Sequence, residues 1–231
     1  MKRMWVLIAL GALAASSALA SSTTCPTTSL TAYLVGGFTC TSGNLTFGGF
    51  SFNTASTTTP IAASAVTVTP ITATGNEGFT FQPSGMSVSN SGSNQNFFDI
   101  TINYWVTDAF GINDLELAFD GTFTGTGLTR VSESYCLNQT TMTGCPPANS
   151  NVISVANPGG GSTNSVMFGA VTSIAVSKDV VVASGTNGTA MLTFFNNQFS
   201  QSLGVPEPLT FGLLGTGLAG LLLIRKRLHK R

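Results

Sequence analysis

The sequence contains almost no histidine and few charged residues. His229 is the one histidine among 231 residues, and Asp, Glu, Lys and Arg together make up 8% of the chain, against about 25% in a typical soluble domain. With no histidine ahead of this C-terminal position, Ser-His-Asp and Cys-His catalytic arrangements are excluded, as are histidine-based metal sites. We therefore expect no catalytic residue, no metal site and no cofactor, with the acidic residues considered below as the remaining alternative.

Basic residues are scarce between the two ends of the chain. From Ser21 to Gly204 there are two basic and eight acidic residues, a net charge of −6, although the whole chain is formally neutral. An acidic body of this kind cannot neutralise phosphate groups, which excludes nucleic acid as a partner.

The same stretch lacks amphipathic helical patterns and consists of short runs of β-forming residues separated by Gly, Asn, Ser and Pro. About ten such strands within one stretch predict an all-β fold, a single β-sandwich or jelly-roll-like domain over residues 21–204. The predicted strands are Asn44–Asn53, Ala65–Thr72, Glu77–Gln82, Gly85–Ser89, Gln95–Thr107, Asp114–Thr124, Gly127–Leu137, Ser165–Phe168, Val171–Lys178 and Thr189–Phe199.

Hydrophobic alternation predicts which face of one strand is buried. Leu115, Leu117 and Phe119 alternate with acidic residues, so the apolar three are expected to face the core. Two stretches rich in Ser, Thr, Asn and Pro, Ser51–Ala65 and Asn149–Asn164, are predicted to be exposed loops.

Acidic residues near this strand offer the remaining enzymatic possibility. Asp114 with Glu116, or Asp99 with Asp108, could serve as a glycosidase pair or bind Ca²⁺ through oxygen ligands. A solvated acidic face is the favoured interpretation, since carboxylates usually lie at the surface.

Four neighbouring aromatic residues could form a sugar-stacking platform, although such a cluster more often belongs to a core. They are Phe97, Phe98, Tyr104 and Trp105.

The four cysteines lie in the acidic body of the chain, and their even number suggests two disulfides in an oxidising compartment. Local pairing, Cys25 with Cys40 and Cys136 with Cys145, needs the shortest loops, although three connectivities are possible.

The N-terminus has the pattern of a secretory signal peptide over residues 1–20. Lys2 and Arg3 precede an apolar run from Met4 to Ala15, and Ala18 and Ala20 supply the small residues at which signal peptidase cleaves.

The C-terminus combines three features in order: Val205-Pro206-Glu207-Pro208, an apolar run from Leu209 to Ile224, and the basic residues Arg225, Lys226 and Arg227. As a helix, the apolar run would rise about 24 Å, slightly less than a bilayer core. The positive charges predict a stop-transfer end that stays in the cytoplasm, with the preceding domain outside.

These features, including the Gly- and Leu-rich span LLGTGLAGLLL, resemble the PEP-CTERM sorting signal over residues 205–231. The resemblance implies recognition of the Val205–Pro208 motif by an exosortase, in a Gram-negative bacterium that makes extracellular polysaccharide. Segments of the body, such as Val66–Pro70 and Thr172–Asp179, are similar to those of uncharacterised PEP-CTERM proteins, for which the resemblance implies no activity.

Three function classes remain open. The favoured one is a non-catalytic surface or matrix protein with a structural or adhesive role, passing transiently through the inner membrane. The second is a carbohydrate-binding module for extracellular polysaccharide. The third, a carboxylate-dependent glycosidase, is the least favoured.

Overall fold

The computed structural model describes residues 23–92 and 94–201, which form an all-β domain. The predicted signal peptide with Ala18 and Ala20, and the predicted sorting tail from Val205 onward, lie outside the described residues. Within the two described ranges, no helix is long and apolar enough to cross a membrane.

Eleven strands and one short helix, α1 (Leu30–Tyr33), make up the described regular structure, with 3₁₀ turns at Ala63–Ala65 and Pro147–Asn149. The strands are β1 (Thr28–Ser29), β2 (Thr39–Ser42), β3 (Leu45–Ser56), β4 (Val66–Ala73), β5 (Asn76–Pro83), β6 (Ser87–Asn90), β7 (Phe97–Gly125), β8 (Leu128–Leu137), β9 (Ser150–Asn157), β10 (Thr163–Ala183) and β11 (Gly188–Ser200).

All eleven strands belong to one antiparallel sheet that folds over on itself. The first half of β7 pairs with β3 and with residues 173–183 of β10, whereas its second half pairs with β11 and with residues 163–167 of β10. Because both long strands change layers, β2, β3, β8 and β9 lie in one layer and β1, β4, β5, β6 and β11 in the other. The arrangement is consistent with a β-sandwich.

The side-chain pattern of β7 changes parity where the strand passes between layers. Even-numbered residues from Phe98 to Val106 are buried, whereas Leu115, Leu117 and Phe119 are the buried residues of the second half. Gly111 lies in between with φ +99°, a conformation that glycine adopts readily. The predicted burial of the three apolar residues is confirmed.

Aromatic rings fill the space between the two layers. The ring of Phe79 on β5 lies 4.5 Å from that of Phe47 on β3 and 6.2 Å from that of Tyr104 on β7, measured between centroids. Phe81, whose ring lies 5.9 Å from that of Phe79, stacks on Phe195 of the neighbouring strand β11 at 5.1 Å. Contacts between rings at these distances add to the free energy of area burial.

Both predicted disulfides are confirmed. Cys25 is bonded to Cys40, which ties the start of the described chain to β2, and Cys136 is bonded to Cys145, which folds the segment after β8 back onto the sheet. The bonds indicate an extracellular or periplasmic location, because disulfides persist in oxidising compartments.

The predicted loops are partly wrong. Ser51–Ser56 extends β3, and Asn149–Asn164 contains the whole of β9 together with the start of β10. The predicted strands Gln95–Thr107 and Asp114–Thr124 are the two halves of the single strand β7. Ser150–Asn157 forms a strand because its backbone pairs with β8 at the sheet edge, where polar side chains can face water.

Candidate functional site

The acidic residues considered for catalysis lie apart from one another or accept hydrogen bonds from backbone amides. Asp114 accepts a hydrogen bond from the Ser200 amide at 2.7 Å, and the buried Asp108 accepts one from the Phe110 amide at 3.1 Å. Glu116, the predicted companion of Asp114, is half-buried on the same strand. In the part of the chain that the structure describes, no group of three or more metal-ligating side chains is placed to hold an ion.

Asp99 lies instead beside Asp179 on the outer face of the layer that contains β3. Burial, and then the charge of Asp179 and a hydrogen bond between the two carboxyl groups, raises the pKa of Asp99, while Arg130 acts in the opposite direction. Arg130 Nη2 lies 3.4 Å from Asp179 Oδ2, and both side chains are nearly half exposed. Asp108, the predicted companion of Asp99, is buried and does not share this face.

The four aromatic residues of β7 do not form a platform together. Phe98 and Tyr104 point into the core, and Phe97 is half-buried. Trp105 remains half-buried on the outer face, where its ring covers Gly48 and Gly49 so closely that a Cβ on either glycine would lie 2.5 Å from a ring atom.

A polar groove lies on this outer face near Trp105. Its volume is about 330 Å³, and its floor and walls are uncharged: Gly49, Ser51, Asn103, Tyr104, Thr140, Thr141, Met142, Thr143, Ala175 and Val176. Asn103 donates a hydrogen bond to Ser51 Oγ at 2.9 Å. The Cys136–Cys145 disulfide holds the Thr140–Thr143 wall against the sheet. The groove can therefore offer hydroxyl and amide groups to a neutral polar ligand.

A second polar group of side chains is sealed inside the core. Lys178 on β10, Glu133 on β8 and Asn197 on β11 are each fully buried. Lys178 Nζ contacts Glu133 Oε2, and the Tyr104 hydroxyl donates a hydrogen bond to Asn197 Oδ1. We call Lys178, Glu133, Asn197 and Tyr104 the core polar cluster.

Burial controls the protonation of this cluster. Loss of solvation raises the pKa of Glu133, against the opposing effects of Lys178 and of a hydrogen bond from Asn197. Loss of solvation likewise lowers the pKa of Lys178, against the opposing effect of Glu133. Both shifts favour the uncharged carboxylic acid and amine, because a charged group in an apolar medium loses its hydration.

Sequence analysis missed the core polar cluster, although the sequence contained a signal for it. Each of the three residues interrupts an apolar alternation: Val176-x-Lys178-x-Val180, Val131-x-Glu133-x-Tyr135 and Phe195-x-Asn197-x-Phe199. Lys178 is also one of only two basic residues in the acidic body. Polar residues at inward positions of three strands indicate a buried polar contact.

Comparison with known proteins gives a weak structural likeness. No family model matches the chain, and no curated protein matches it. Solved structures that resemble part of the domain include the carbohydrate-binding module TmCBM61 in complex with β-1,4-galactotriose (TM-score 0.28, 11% identity, 63% of this chain and 86% of that one). A second is the glycosylation-associated protein (Gap123) complex from Streptococcus agalactiae (TM-score 0.28, 14% identity, 68% of this chain and 27% of that one). A third is the enzymatically active domain of bacteriophage CBA120 tailspike protein 4 (TM-score 0.29, 15% identity, 64% of this chain and 19% of that one). These values describe a partial likeness only.

Proposed function

We propose that this chain is an exported surface or extracellular-matrix protein of a Gram-negative bacterium, with a non-catalytic structural or adhesive role in a polysaccharide-rich envelope. Residues 21–204 would form a single jelly-roll-like domain. The C-terminal helix would hold it in the inner membrane until exosortase acts at Val205–Pro208. The ordered motif, apolar span and basic cluster support this route.

The state of the acidic side chains is the observation that supports a non-catalytic domain. Glu133 is fully buried in the core in contact with Lys178, and Asp114 accepts a hydrogen bond from a backbone amide. Asp99 shares an open sheet face with Asp179 and Arg130 rather than facing a second acid across a cleft. Acid–base catalysis on a substrate needs a group within hydrogen-bond reach of it.

Processing of the tail tests the proposed route. In a host that has an exosortase, the mature protein should lose the segment Leu209–Arg231. Changing Pro206-Glu207-Pro208 to three alanines should leave membrane insertion intact, because insertion depends on the apolar length and the flanking charge. The variant should nevertheless keep its tail and stay in the inner membrane. A mature wild-type protein that ends at Arg231 would show that the tail is an ordinary anchor.

The polar groove supports a second candidate function, binding of a neutral extracellular polysaccharide. Hydroxyl and amide groups around a concave surface, with Trp105 beside it, are the groups that orient sugars in binding sites. The exported protein would be screened on a glycan array, with Asn103→Ala as the test variant and Thr101→Ala, two residues along the same strand, as the control. Loss of a glycan signal in Asn103→Ala alone supports the groove, and an array without any signal for wild type contradicts it.

A further inference from the structure

We propose that Lys178 and Asn197 become joined by an intramolecular amide bond, which the folded chain forms by itself with Glu133 as the acid–base catalyst. The bond would join the side chains of β10 and β11, in addition to the two disulfides. It requires neither ligand binding in the proposed polysaccharide groove, although Tyr104 borders both sites, nor the sorting tail.

The two reacting groups meet at one carboxyl group. Lys178 Nζ contacts Glu133 Oε2 directly. Asn197 is fully buried two residues along β11 from Phe195, whose ring faces the same Nζ, and its amide acts to lower the pKa of Glu133. Oε1 of Glu133 has no hydrogen-bond partner among the described residues. This carboxyl group is therefore available to transfer a proton to the amide of Asn197 when its nitrogen leaves.

The surroundings of Asn197 polarise its carbonyl group. The Tyr104 hydroxyl donates to Oδ1, and Nδ2 donates to the Glu116 carbonyl oxygen at 3.1 Å. Burial, and then the charge of Glu133, raises the pKa of Tyr104, so its hydroxyl keeps its proton and remains a donor. A donor aimed at the carbonyl oxygen stabilises the negative charge that develops there during attack by a nucleophile.

The buried position also makes Lys178 a nucleophile. An amine attacks only in its neutral form, and desolvation lowers the pKa of Lys178 while raising that of Glu133. The Phe195 ring, whose centroid is 6.0 Å from Nζ, forms part of the apolar wall around the amine. Water is excluded, so hydrolysis of Asn197 does not compete with attack by the amine.

The reaction balances without an oxidant or a co-substrate. Lys178 Nζ attacks Asn197 Cγ and forms a tetrahedral intermediate whose oxygen is held by the Tyr104 hydroxyl. Glu133 gives its proton to the departing nitrogen and takes one from the attacking amine, so it ends in its starting form. The Cγ–Nδ2 bond breaks, ammonia leaves, and the Nζ–Cγ amide bond remains.

Peptide mass analysis tests this bond directly. The full chain would be expressed in an exporting host, purified, denatured, reduced and cut with a protease that cleaves before Asp. Cleavage between Lys178 and Asp179 places Lys178 and Asn197 on different peptides. We expect these two peptides to stay joined, with a combined mass about 17 Da below their sum because one ammonia has left.

Three variants define the chemistry. Asn197→Ala and Glu133→Gln should each give two separate peptides, whereas Asn196→Ala, at the neighbouring position with the opposite orientation, should keep them joined. Succinimide formation at Asn187-Gly188 also releases ammonia, but it does not join two peptides. Separate, unmodified peptides from folded wild-type protein would overturn the proposal and leave Lys178 and Glu133 as a buried pair only, whether or not the variants fold.

Discussion

Removing the side chain of Phe79 should destabilise the domain more than the loss of an ordinary core residue. Phe79 is fully buried, and the rings of Tyr33, Phe47, Phe50 and Tyr104 lie between 4.5 and 6.2 Å from its own. Truncation of a buried Phe to Ala costs about 3–5 kcal/mol of unfolding free energy. Because several aromatic pairs are lost at once, we expect Phe79→Ala to fall at the upper end, at about 4–5 kcal/mol.

Urea unfolding followed by circular dichroism measures this loss. For a domain of this size, each kcal/mol corresponds to about 2–4 °C in Tm, so Phe79→Ala should lower Tm by about 8–20 °C. Phe110→Ala is the matched control, because Phe110 is 61% exposed, and it should change the free energy by no more than about 0.5 kcal/mol. A cost below about 1 kcal/mol for Phe79→Ala would contradict the reasoning that the two layers are held together by this aromatic core.

Three further predictions concern the groove wall, Trp105 and the outer carboxyl pair. Replacing the Cys136–Cys145 disulfide with two serines should lower the free energy of unfolding by about 3 kcal/mol, because the unfolded chain is no longer closed into a short loop. Urea midpoints and protease cleavage within the loop would measure this loss, and an unchanged midpoint would contradict the prediction. Gly49→Ala, at φ +66°, should displace the Trp105 ring and shift its fluorescence to longer wavelength, whereas unchanged emission would mean that the ring does not depend on this glycine. The raised pKa of Asp99 means that the folded domain holds a proton that the unfolded chain releases, so stability should fall as pH rises from about 4, the unfolded value. Asp99→Asn should flatten this decline in urea midpoints measured across pH, and a wild-type midpoint that rises over the same range would show the sign to be wrong.

Local pattern was sufficient for parts of the fold. The alternation around Leu115, Leu117 and Phe119 predicted their burial, since a strand with one solvent-exposed face must turn its apolar side chains to the core. The short spacings of the cysteines predicted their pairing, because nearby residues meet at low entropic cost.

Features that depend on distant partners were not predictable in this way. Ser150–Asn157 has the composition of a loop and becomes strand β9 only because β8 offers it a backbone edge. Gly111 marks a turn by composition, yet pairing with β10 on both sides makes β7 continuous through it. The interrupted alternations mark single polar residues as inward-facing, but the core polar cluster unites β7, β8, β10 and β11, and no local pattern reveals that these four strands lie together.

The parity change inside β7 constrains how this sequence can evolve. Deletion of one residue between Phe97 and Thr107 would carry the side chains on one side of the deletion to the opposite face, so that some of the buried residues Ile100, Ile102 and Tyr104 would face solvent or some outer residues would enter the core, because side chains alternate along a strand. A deletion in the surface segment between β8 and β9 would move no such set. Sequences that descend from this one should therefore vary in length around residues 138–149. The number of residues in β7 should change only by two at a time, or together with a compensating bulge near Gly111.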